Sequence, residues 1–146
     1  MSTFEGISLA IALLALVISL GSLYFSGRAN NLNKNMFKRQ GIIDLFMAWQ
    51  GTADIDPAAI IGPDVVKSAN ALALTASLWN HDVIEKVIIY QTYWEPFQSI
   101  YDKLNSLDVI APGLKKTCKA FLSSDMTRAY EEMKKFEIGT VKTTKI

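Results

Sequence analysis

The chain has one cysteine and one histidine among 146 residues, and its formal net charge is only +1. A lone Cys118 has no intrachain disulfide partner, which fits a reducing compartment or indifference to redox. A lone His81 excludes a histidine cluster, and no HExxH, cysteine pair or phosphate-binding glycine loop occurs. The near-neutral balance leaves no bulk basic footprint, so nucleic acid is not expected as a partner. Two further absences are local. No lysine or arginine precedes Arg28, and neither a charge nor a proline interrupts Gly6 to Phe25.

That uninterrupted run, GISLAIALLALVISLGSLYF, is the most informative stretch of the sequence. A helix of about twenty residues spans about 30 Å, the thickness of a bilayer's hydrocarbon core. A secretion signal would carry a basic start and a small-residue cleavage site. Here the start is MSTFE, with Glu5, and the run ends in Leu23, Tyr24 and Phe25. A buried core helix this apolar would need protein on every side, which the roughly 110 remaining residues can hardly supply. The reading is a transmembrane anchor, with Phe4, Tyr24 and Phe25 at the two interfaces. All fifteen basic residues follow it, beginning with Arg28, Lys34, Lys38 and Arg39. The positive-inside bias then puts the amino terminus outside and the carboxyl part in the cytoplasm.

Small side chains recur inside the span. Ser8, Ala12, Ala15, Ser19, Ser22 and Ser26 advance by alternating steps of four and three. That spacing lines one seam of a left-handed helix pair, where small residues let backbones approach in lipid. The competing reading is chance, since alanine and serine are common in such helices.

Beyond the span the pattern is helical throughout. SGRANNLNKN is either a continuation of the helix or a hinge, since asparagine favours caps and turns. Met36, Ile43, Phe46, Met47 and Trp49 predict a helix from about Met36 to Gln50, closed by Gly51. Asp56, Pro57 and the Gly62-Pro63 pair mark a short turn. A third helix runs from Asp64 to Trp79, on Val65, Val66, Ala69, Leu72, Leu74 and Leu78. Asp82 and Glu85 form a possible capping box for a fourth. The fourth helix carries Val83, Val87, Tyr90, Trp94, Phe97, Tyr101 and Leu104 along one face, widened by Ile84, Ile88 and Ile100. It is expected to be the centre of the core, kinked near Tyr93 or Trp94 by Pro96. Two short helices, Gly113 to Leu122 and Asp125 to Phe136, close the domain.

The whole predicts an all-α chain: an anchor over 1–27 with its span at about 6–25, and a polar juxtamembrane linker over 28–35. A small cytoplasmic helical bundle over 36–137 and a flexible tail over 138–146 follow.

Candidate chemistry is sparse. Asp54, Asp56 and Asp64 invite a metal reading, but they lack calcium-loop spacing and suit helix starts instead. His81 as a base for Cys118 has no supporting spacing, because a nucleophile needs its base within hydrogen-bond reach. Tyr93 and Trp94 are a possible interaction surface, although aromatics at helical spacing are more often core. Lys115, Lys116, Lys119, Lys134 and Lys135 could meet anionic headgroups, yet Glu131, Glu132 and Glu137 dilute them into an ordinary solvated face.

The order of these features resembles a family of small bacterial membrane proteins, catalogued as domain of unknown function 4760. The likeness rests on LVISLGSLYFSGRANN, on DLFMAW, and on SANALALTASLWNHDVIEKVIIYQTYWEPFQSIYDKL with its Tyr93-Trp94 pair. It covers about Ile7 to Leu104 and leaves the carboxyl-terminal helices unmatched. The resemblance implies a bacterial or phage-borne inner-membrane protein with a helical cytoplasmic domain, and supplies no reaction. The expected function is therefore non-enzymatic, without cofactor or metal. It is that of an interaction or accessory subunit whose partners are the bilayer and either copies of itself or a larger membrane complex. The alternative is an oligomeric membrane effector or regulator, for example in phage defence or superinfection exclusion.

Overall fold

The computed structural model describes residues 3–136; the side chains of 3–6, 8–10 and 12 are outside that description. Among the described residues there are four α-helices: α1 (Thr3–Trp49), α2 (Gly62–Asn80), α3 (Lys86–Ser106) and α4 (Ser124–Lys134). No strand occurs among the described residues. The chain divides into two units, residues 1–39 and residues 40–146. The tail over 138–146, expected to be flexible, lies outside the described residues.

α1 is one helix of 47 residues, so the stretch over 28–35 is helical. Its asparagines cost only a few tenths of a kcal/mol each in helix propensity, too little to break a helix that continues on both sides. The helix stops where the glycine permits it. Gly51 adopts φ +67°, the left-handed conformation that side chains resist. The Thr52 hydroxyl and amide both return to the Trp49 carbonyl.

In the second unit α2, not α3, is the centre of the core. Its buried residues include Val65, Ala69, Leu72, Ala76, Leu78 and Trp79, whereas α3 buries only Ile89, Phe97, Ile100, Tyr101 and Leu104. The reason is side-chain size. Ser68, Ala69, Ala71, Thr75 and Ala76 let neighbours approach α2 on more than one side, and it packs on both α3 and α4. On α3, Tyr90 and Trp94 stay half-buried and Ile88 is exposed, while Ile89, outside the expected stripe, is fully buried.

Two local expectations are corrected. The Asp82–Glu85 capping box does not form: Asp82 takes φ +51° in the turn after α2, and its carboxylate pairs with Lys86 at 3.4 Å. α3 starts at Lys86, with no side-chain cap from Glu85. The segment Gly113 to Leu122 is not an α-helix. Gly113 turns left-handed at φ +82°, Ile110 bridges to Thr117, and only a 3-10 turn, Lys119–Phe121, remains. Cys118 N–H donates to the Val109 carbonyl at 2.9 Å, which spends on a loop the donor a helix would use. α4 starts one residue before the expected Asp125, with the Ser123 hydroxyl accepting from Met126 N–H at 3.3 Å. α3 runs on through Pro96, whose ring nitrogen leaves the Thr92 carbonyl without its usual donor.

Candidate membrane anchor and assembly face

The first unit is built on α1 alone. Its apolar side chains from Leu13 to Leu23 are between 56% and 70% exposed. From Leu13 onward α1 is long and apolar enough to cross a membrane, and its apolar stretch is not buried within the protein. An apolar helix in a soluble core would have most of these side chains covered. Lipid tails provide the apolar surroundings that water does not.

Of the small-residue seam, Ser8 and Ala12 fall among the side chains outside the description. Ala15, Ser19, Ser22 and Ser26 are exposed on α1. The Ser19 hydroxyl donates to the Ala15 carbonyl at 2.8 Å. That bond satisfies the hydroxyl within its own helix, so it carries no unmet polar group into an apolar environment. Arg28, Lys34 and Arg39 are exposed, and Lys38 is half-buried.

Tyr93 and Trp94 lie on α3 in the second unit, half-buried rather than projecting. Tyr93 stacks on Trp49 with ring centres 5.7 Å apart, and Trp94 stacks on Tyr90 at 5.9 Å. Trp94 belongs to an aromatic layer that continues through Tyr130, which stacks on Tyr101 at 4.3 Å. Burial pushes the Tyr93 phenol pKa up. Burial does the same at Tyr130, reinforced by its hydrogen bond to the Asp102 carboxylate at 2.9 Å.

The acids singled out from the sequence are engaged locally. Asp54 pairs with Lys103, Asp56 accepts from Ala58 N–H at 2.9 Å, and Asp64 lies in the first turn of α2. Among the described residues no group of three histidines, cysteines or acids is placed to hold a metal ion. His81 sits exposed at the carboxyl end of α2, and Cys118 is buried. Three shallow depressions mark the second unit. One of about 320 Å³ lies between Trp49, Asp54, Pro96 and Ser99; one of about 500 Å³ between Pro63, Lys67, Pro112 and Leu114; and one of about 610 Å³ between Pro57, Ile60, Leu107 and Val109. None of these three is lined by two carboxylates, the minimum for acid–base work on carboxylates alone.

One exposed feature is absent from the sequence reading. On the α1 segment of the second unit, Leu45 is buried and Trp49 half-buried, while Ile43, Phe46 and Met47 stand 52%, 61% and 63% exposed. The sequence grouped all but Leu45 as one helical stripe, because spacing alone does not say which face meets the domain. Compared with family models, curated proteins and solved structures, the chain matches none.

Proposed function

We propose that this protein is a single-pass membrane subunit that assembles through α1 and presents a helical domain to a partner, without catalysing a reaction. The observation that carries the reading is the exposed apolar run of α1 in a chain whose second unit has its own closed core of Leu72, Trp79, Phe97 and Met133. The domain needs nothing from that run for its burial, so the run answers to a different solvent. The basic residues Arg28, Lys34, Lys38 and Arg39 favour a cytoplasmic carboxyl part and an outer amino terminus. A bacterial inner membrane and likeness to the domain-of-unknown-function 4760 proteins belong to the same proposal. The test is the mass and subunit composition of the particle extracted from its membrane in mild detergent. A homogeneous multiple of this chain, or a larger particle holding it with other proteins, supports assembly; a bare monomer contradicts it.

A further inference from the structure

The alternation of fours and threes does not stop at the end of the span. From Ser26 it runs on through Ala29, Asn33, Met36, Gln40, Ile43 and Met47. α1 is helical across all of them. A seven-residue period with two core positions is the seam of a coiled coil. The residue type along it changes as the solvent does. Small side chains serve where packing alone joins helices in lipid, and Met36, Ile43 and Met47 serve where burial from water supplies the drive.

Three observations say what covers this face. First, it is open: Met36 and Phe37 are exposed in the first unit, and Ile43, Phe46 and Met47 in the second. Within the second unit, Gly41 and Leu45 face into the domain, so Ile43, Phe46 and Met47 are left free of that unit's core. Second, the charges flanking the seam are complementary to themselves. In a parallel pair the side chain just before one core position reaches the residue five further along the partner helix. Arg39 stands in that place, and five further along is Asp44. Among the described residues Arg39 makes no ion pair within its own chain. The same offset sets Leu32 against Phe37, apolar against apolar. Third, Asn33 occupies a core position of the kind that fixes register in two-stranded parallel coils.

We propose that a second copy of this chain docks along this face, forming a parallel two-stranded coil from about Ala29 to Met47. Arg39 of each chain then pairs with the partner's Asp44. Two copies inserted the same way in one membrane are necessarily parallel. This rests on the reading that the chain assembles through α1, and adds where outside the lipid it does so and with what.

The test is cysteine cross-linking of the full chain in its native membrane. Met36→Cys and Ile43→Cys probe the seam, Lys34→Cys and Lys38→Cys the outer positions, and Ser22→Cys the span. Disulfides form only where Cα atoms come within about 7 Å, so yield reports geometry. Cys118 is buried, and the unsubstituted chain is the control for it. The expected result is a dimer of this chain, confirmed by mass, at 36 and 43 in several-fold higher yield than at 34 and 38. Arg39→Asp lowers the yield of the Ile43→Cys chain several-fold, and adding Asp44→Arg restores it. Equal yields at all four aqueous positions, a cross-link to a different protein, or no restoration by the double exchange overturns the proposal. Cross-linking at Ser22→Cys with none at 36 or 43 overturns this inference and leaves assembly through the span standing. No cross-link anywhere removes both.

Discussion

Gly62→Ala separates the packing account of the second unit from a purely local one, because the two give opposite signs. Gly62 opens α2 and is buried. Its backbone is not left-handed, so alanine there carries no conformational strain, and helix propensity favours alanine by up to about 1 kcal/mol. Were the space open, the substitution would stabilise. But a Cβ at Gly62 comes closer than 3.0 Å to the Pro112 carbonyl oxygen and lies 3.4 Å from Leu114 Cγ. The nearest atom is backbone in a loop pinned by the Cys118-to-Val109 bond, so it cannot swing aside as a side chain would. Forcing an extra carbon into such a site costs about 1–3 kcal/mol. For a domain of about a hundred residues that is a fall in Tm of roughly 5 to 20 °C. The assay is thermal unfolding of the full chain in detergent by tryptophan fluorescence. All three tryptophans, Trp49, Trp79 and Trp94, lie in the second unit, so the signal reports on that unit. An unchanged or higher Tm refutes the close packing of α2 on the Pro112 loop.

Three further outcomes follow from the same structure. Phe97→Ala empties a fully buried site and lowers unfolding stability by about 3–5 kcal/mol, measurable by denaturant titration in the same detergent. Ser68→Ala goes the other way: the Ser68 hydroxyl is buried without a hydrogen-bond partner, and its removal raises stability by about 1 kcal/mol. The phenols of Tyr93 and Tyr130 have folded pKa values raised above the ordinary 10.0. The unfolded chain therefore releases these protons first, and their contribution is complete below pH 10.0 and lost as pH rises through the higher folded values. A pH series of unfolding midpoints shows that alkaline fall, and Tyr130→Phe makes it shallower.

Helix existence was legible in the sequence wherever apolar spacing persisted, as at Val65 to Leu78 and Phe97 to Leu104. The end of α1 at Gly51 was legible because one residue type dominates that conformation. Three features were not. Which helix is central depends on how closely neighbours approach, and Ala69, Ala71 and Ala76 hide that as mild hydrophobicity. The Gly113–Leu122 segment has the composition of a weak helix, and pairing between Ile110 and Thr117, a tertiary matter, decides against it. The open face of α1 was visible as spacing at Met36, Ile43 and Met47, but Leu45 and Gly41 had to be seen buried before the stripe could be divided into two sides. For the anchor the residues Gly6 to Phe25 sufficed to raise the reading, and the exposure of Leu13 to Leu23 supports it.

The measurement closest to the central claim is topology in intact cells. Ser2→Cys and Ser124→Cys, each in the full chain, are treated with a membrane-impermeant maleimide before and after lysis, and the membranes are then washed with alkaline carbonate. The account predicts that the chain stays in the carbonate pellet, with position 2 labelled in intact cells and position 124 only after lysis. A chain released by carbonate, or position 124 labelled from outside, would contradict it.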